Sequence, residues 1–259
     1  MYTNSVVPLY IFDSFTKKYH SIGTGTLVRH LNKDLLVSAA HVFAKFNQRK
    51  TFIFISGKLY EIGGYSAYLW PGHLEQGEKD PIDLGVMQLP SDMYSKTHEL
   101  KFVTEDEYNE GQKKHSAIYQ AIGFPGSKNS RLANKTARKQ GEFLTTLLRY
   151  TVNDVGVTFF PHEKFDSEFH ISVCLTQKGV EANTNIEVDI PEIKGLSGGI
   201  LQKVIDYNRH TDNFNYAFPA GIIIEKDTAQ KAFVAVKLGL LFKWLKILHK
   251  QHNIFDEQL

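Results

Sequence analysis

Cysteine is almost absent from this chain. Cys174 is the single one among 259 residues, which excludes an internal disulfide framework and points away from an oxidising compartment. An excess of charge of one sign is also missing: the net charge is +2, too little to point to nucleic acid or an anionic membrane as partner. Long hydrophobic runs are lacking. The best candidate, "LGLLFKWLKILHK", is interrupted by Lys243 and Lys246 and is too short to span a bilayer. The opening "MYTNSVVPLYIF" has neither a basic start nor an apolar core with a small-residue cleavage site. No secretory signal is therefore expected, and a cytoplasmic protein without a membrane partner is. The eleven histidines show no ligand spacing such as H-E-x-x-H, so no metal and no other cofactor is expected. No internal repeat is found.

What the chain does have is many short β-like runs. "VVPLYIF", "GTGTLV", "DLLVSAA", "TFIFISG", "KLYEIGGYSAYLW" and "DLGVMQL" fill the first ninety residues, and "AIYQAIGF", "LTTLLRYTV", "FHISVCLT", "AFPAGIIIE" and "KAFVAV" follow later. Strands this close together, without helices between them, predict an all-β barrel or sandwich rather than βαβ units. The polar stretch from Pro90 to Gly111 reads as the connection between two halves. Leu240, Leu241, Trp244, Leu245, Ile247 and Leu248 recur at helical spacing with Lys243, Lys246 and Lys250 opposite, which predicts a C-terminal amphipathic helix packed on the body. Cys174, in "HISVCLT", is expected to be buried and inert. The basic run "SKNSRLANKTARK" at 127–139 lacks interleaved aromatics and reads as a solvated loop, so nucleic acid is not expected.

Three stretches carry chemistry. In "IKGLSGGIL", Gly195, Gly198 and Gly199 surround Ser197, a use of glycine that protects the backbone geometry of one small hydroxyl. A serine becomes a nucleophile when an adjacent base takes its proton. The charge that develops on a carbonyl oxygen then needs preorganised donors, here the N–H groups of Gly195 and Ser197. "LLVSAAHVF" supplies the base, His41, behind small residues at the end of a strand-like run. "DPIDLGVMQLP" supplies a carboxylate, Asp83, at the mouth of an apolar strand, where it is suited to hold the histidine Nδ1–H. Asp80 is the rival, set aside because it precedes Pro81 in a charged loop. "GLSGG" also satisfies the G-x-S-x-G elbow of α/β-hydrolases, but only 62 residues follow Ser197 and the βα alternation of that fold is missing.

In this order the motifs resemble those of the trypsin-like serine peptidases of the chymotrypsin fold. "GTGTLVRHLNKDLLVSAAHVF" resembles the histidine region, "DLGVMQL" the aspartate strand, "GLSGG" the serine loop, "AGIII" the strand that pairs with substrate, and "FVAVKLGLLFKWL" the last strand and helix. "YQAIGFPG" is similar to a segment of bacterial, intracellular or Deg-like relatives. The resemblance implies two six-stranded antiparallel β-barrels over residues 5–90 and 114–237, a linker at 91–113 and a helix at 238–251. It implies a serine endopeptidase whose partner is a protein or peptide substrate, with His41, Asp83 and Ser197 catalytic and the oxyanion held by Gly195 and Ser197. Leu196 stands where digestive members carry the aspartate that pairs with a cleaved N-terminus, so activation by N-terminal cleavage is not expected. The substrate-binding positions map to Pro191, Glu192, Ile224 and Glu225, with Asp189 and Lys226 beside them. Two rivals remain open at this point, a non-catalytic binding module on the same fold and an effector gated by a regulatory protein partner.

Overall fold

Runs rich in Val, Ile, Phe and Thr, separated by Gly, Asn and Asp, favour extended chain and tight reversals, and the chain folds accordingly. A computed structural model describes residues 1–46, 49–55, 57–63, 66–69, 80–90, 93, 100–126, 129, 145, 147–153, 165–174, 178–181, 187–189, 195–208, 214–227 and 232–251. Two antiparallel sheets and a C-terminal helix make up the architecture. The first sheet contains β1 (Val6–Asp13), β2 (Lys18–His30), β3 (Lys33–Ala39), β4 (Thr51–Ile55), β5 (Lys58–Ile62), β6 (Ser66–Leu69) and β7 (Leu84–Gln88), in the order β5-β4-β1-β2-β3-β7-β6. A single helical turn, α1 (Ala40–Phe43), follows β3, and α2 (Glu105–Gln112) lies between the sheets in sequence. The second sheet contains β8 (Ile118–Gly123), β9 (Leu148–Asn153), β10 (His170–Cys174), β11 (Lys178–Glu181), β12 (Glu187–Asp189), β13 (Ile200–Ile205), β14 (Tyr216–Asp227) and β15 (Ala232–Lys237), in the order β10-β15-β14-β13-β8-β9-β11-β12. The last element is α3 (Leu238–Gln251).

The first sheet cannot be flat. Its two edge strands are consecutive in the chain, and Ile62 is only four residues from Ser66, a step that spans at most about 14 Å. Laid flat, a sheet of this width would hold its edges roughly 29 Å apart. It therefore curls until the edges approach. The run "KLYEIGGYSAYLW", one strand by its pattern, is divided after Ile62, and its two parts join opposite edges. The second sheet also bends, bringing β10 beside β9, the fifth strand along from it. The ladders hold seven and eight strands among the described residues, rather than six each. The divided run adds a strand to the first sheet, and the β11–β12 hairpin extends the second.

Both faces of the second sheet are buried at the centres of β14 and β15. Ile222 and Ile224 of β14, with Val234 and Val236 of β15, enter the core shared with the first sheet, whereas Ile223, Phe233 and Ala235 fill a separate core. That alternation between two apolar environments explains why "AGIII" and "AFVAV" carry no polar side chain. Leu238, Leu241, Phe242 and Leu245 of α3 close the shared core, and Lys246 on its outer side meets Glu105 of α2 at 2.6 Å. No helix among the described residues is long and apolar enough to cross a membrane.

One expectation gains detail and another needs correction. The polar connection contains α2, started by a capping box in which the Thr104 hydroxyl accepts from Glu107 N–H and the Glu107 carboxylate accepts from Thr104 N–H. Cys174 is half-buried rather than buried, since it sits at the end of β10, the edge strand.

Candidate active site

β3 ends in small residues and turns directly into α1, so His41 stands at the mouth of the first sheet with 47% of its side chain exposed. β7 pairs with β3 so that Leu84 lies opposite Ala39. Register therefore carries Asp83 to the start of α1, where its carbonyl accepts Ala40 N–H at 2.8 Å. The carboxylate grips His41 at two points. Oδ1 accepts the backbone N–H at 2.9 Å, and Oδ2 lies 2.6 Å from Nδ1. Because a carboxylate can only accept, the ring proton belongs on Nδ1, which leaves Nε2 as an acceptor. Asp83 adopts φ +45°, a left-handed conformation for which aspartate is among the better tolerated non-glycine residues.

Asp80 has a different part. Its Oδ1 accepts Ile82 N–H at 2.8 Å, which closes the loop ahead of Asp83. Burial pushes its carboxyl above the usual range, and the N–H groups of Ile82 and Asp83 oppose that rise.

Ser197 lies just before β13, in a turn built by the main chain. Gly195 and Gly198 have φ +105° and +88°. A Cβ on Gly195 would strike Gly126 N and approach Phe124 O to 2.9 Å; one on Gly198 would strike Thr24 O and the Ser38 hydroxyl. Each position thus needs glycine for conformation and for space. The first sheet holds this turn through buried threonines. Thr24 Oγ1 donates to Gly195 O at 2.7 Å, Thr26 Oγ1 to Gly198 O at 2.8 Å, and Thr24 N–H to Ser197 O at 3.0 Å. From the other side Gly198 N–H donates to Ile223 O at 2.7 Å, and Leu196 fills the second sheet's own core. The N–H groups of Gly195 and Ser197 donate to no described residue.

The two halves approach each other at Gly23, where a Cβ would lie 2.7 Å from Cγ1 of Val42 and 3.3 Å from the Ser197 carbonyl oxygen. Among the described residues the His41 ring is hydrogen-bonded to Asp83 and not to Ser197. Of the substrate-binding positions, Ile224 is buried in the shared core and Glu225 is half-buried. Pro191 and Glu192 lie outside the described residues, as do the Lys226 side chain and most of the 127–139 run. No group of three or more metal-ligating side chains occurs among the described residues.

Sequence reasoning missed the supporting side chains. Thr24, Thr26 and Ser38 are fully buried, and the alternation in "GTGT" is the local sign that a polar face turns inward there. His170 had no such sign, because the loop it touches lies 89 positions away in the chain.

No family model matches the chain, and no curated protein matches it. Among solved structures it is similar to one described as "Aromatic interactions drive the coupled folding and binding of the intrinsically disordered Sesbania mosaic virus VPg protein". The identity is 12%, the TM-score 0.46, and the match covers 93% of this chain and 95% of that one. A likeness of that size carries no inference about chemistry.

Proposed function

We propose that this chain is a serine endopeptidase of the trypsin-like type, built as two closed antiparallel barrels with the reacting groups between them. His41 acts as general base and then general acid, Asp83 fixes its tautomer and steadies the imidazolium, and Ser197 attacks the scissile carbonyl. The N–H groups of Gly195 and Ser197 receive the oxyanion. The tetrahedral intermediate collapses to an acyl-enzyme as the protonated imidazole gives its proton to the leaving amine, and water repeats the sequence in reverse. The substrate is a protein or peptide, and no N-terminal trimming is required.

The observation that carries this reading is the two-point grip of Asp83 on His41, at 2.9 and 2.6 Å. One such contact is common in structural histidines. Two, which fix both ring orientation and tautomer beside a serine turn whose Gly195 and Ser197 N–H groups donate to no described residue, suit proton transfer from a hydroxyl. The test is labelling of the full chain by a fluorophosphonate probe, with the adduct mapped to Ser197. Ser197→Ala is expected to abolish labelling and to lower peptide turnover at least roughly a thousandfold. A purified chain that is folded yet inert to the probe overturns the peptidase reading and favours a binding module on the same scaffold.

A further inference from the structure

Three groups hold the loop that presents Asp83. Ala40 N–H binds its carbonyl, and the Asp80 carboxylate closes it from within. Both belong to the first-sheet half of the chain. The third comes from the second sheet: Nε2 of His170, the first residue of β10, lies 2.8 Å from the carbonyl oxygen of Pro81, two residues before Asp83. A carbonyl only accepts, so Nε2 carries a proton. Nδ1 lies 3.1 Å from Asp166 N and 3.0 Å from Asp166 O, so the ring is tied to the main chain at both nitrogens. The ring is 2% exposed and is set edge-on against Phe165 and Phe169, with centroids at 5.1 and 6.5 Å. Its platform is firm as well: His170 N–H donates to Asp166 O at 2.8 Å, and Lys237 N–H of β15 donates to Phe169 O at 2.9 Å.

We propose that His170 is a positioning residue for the reaction, a buried link that fixes the Asp83 loop, and through it the His41 imidazole, relative to the sheet that carries Ser197. Asp83 holds a left-handed backbone conformation that aspartate tolerates at a cost. Its side chain reaches His41 only while the preceding turn keeps its place. Release of the Pro81 carbonyl lets the turn relax, and the acid and base then shift against a nucleophile anchored elsewhere. Misplacement by about 1 Å costs on the order of a hundredfold in rate. This inference rests on the peptidase reading for its rate arm only.

The test uses the full chain and a fluorophosphonate probe, with His170→Phe, which keeps a flat ring and removes the donor, and His170→Gln, which restores an N–H near the Nε2 position. The Phe variant is expected to lower the maximal labelling rate on the order of a hundredfold with unchanged probe affinity, and the Gln variant to return it to within about tenfold of the parent. A proton NMR spectrum gives a readout independent of reactivity. The His41 Nδ1–H signal is expected to be lost to exchange in the Phe variant and recovered in the Gln variant. If the Phe variant does not fold, His170→Asn, whose donor falls short of Pro81, carries the same expectations. A folded Phe or Asn variant that labels at the parental rate, or a Gln variant no better than it, overturns the proposal. If the parent itself does not label, the peptidase reading fails and the NMR arm decides alone: an unchanged Nδ1–H signal in the Phe variant overturns the positioning role.

Discussion

On the first-sheet side of the candidate site a carboxylate holds an imidazole through side-chain atoms, and nearly half of that histidine side chain remains exposed. On the other side a serine is held through main-chain atoms, with two left-handed glycines and carbonyls tied to fully buried threonines. The difference separates chemistry from folding. Side chains near solvent can be exchanged for isosteres while the body stays intact. A turn whose carbonyls at positions 195–198 each accept a hydrogen bond admits no change that leaves the scaffold untouched.

The largest expected effect breaks the side-chain half without touching the other. Asp83→Asn keeps an oxygen for His41 N–H, and asparagine is at ease near φ +45°. Its amide nitrogen, however, faces Nδ1 and forces the proton onto Nε2. Labelling and turnover are expected to fall on the order of 10⁴-fold, with the thermal midpoint moved by less than about 2 °C. A variant that retains activity would sever the acid from the chemistry. One that unfolds would show that the pair holds the fold rather than the tautomer.

Gly198→Ala is the mirror experiment. The added methyl strikes Thr24 O and the Ser38 hydroxyl at a residue with φ +88°. Left-handed backbone costs about 1–2 kcal/mol for an L-residue and overpacking about 1–3 more, so a loss of roughly 3 kcal/mol is expected by denaturant titration. Unchanged stability would mean that the turn is held less tightly than its hydrogen bonds imply.

The contrast also explains what was legible in the sequence. The β content, the terminal helix and the glycine positions are written locally, in strand patterns, helical spacing and G-x-S-G-G punctuation. So is the nearness of His41 to Asp83, because each sits at the end of an apolar run that becomes a paired strand. α2 was legible too, in the Thr104-x-x-Glu107 capping box, but its mean composition is polar and masks the signal. The two-sided burial of β14 and β15 shows only as an absence of polar residues, which does not say what each face meets. The division of the strand-like run after Ile62 and the reach of His170 to Pro81 depend on curvature and on contacts far apart in the chain, and no local pattern encodes either.

A smaller effect sharpens how the halves are joined. The Thr24 hydroxyl donates to Gly195 O at 2.7 Å and accepts Phe124 N–H at 2.9 Å, with none of the residue exposed. Thr24→Val has almost the same shape and leaves the buried Phe124 N–H and the half-buried Gly195 carbonyl without this partner. A loss of about 2 kcal/mol is expected. Calorimetry should show it as a fall of about 4–8 °C in the thermal midpoint. A fall as large for Thr24→Ser, which keeps the hydroxyl, would shift the cause from hydrogen bonding to packing.

The smallest effect lies away from the site, where β2 meets α3. His30 is 9% exposed, its Nε2 has no partner among the described residues, and its ring tilts against Phe242 at 6.1 Å. Burial holds the imidazole below its ordinary range; Glu105 opposes that shift, and Lys246 and His249 reinforce it. The folded protein therefore binds this proton more weakly than the unfolded chain, whose imidazole titrates near about 6.5. Above that pH the ring is neutral in both states. Below it the unfolded chain takes up a proton that the folded state resists, so stability is lost as pH falls from about 6.5 through the lower folded value. Thermal midpoints of the parent and of His30→Phe, measured from pH 7.5 down to about 5, are expected to diverge, the parent falling by about 2 °C more. Parallel curves would show that the solvent reaches His30 after all, and that the seam between β2 and α3 opens more readily than its burial implies.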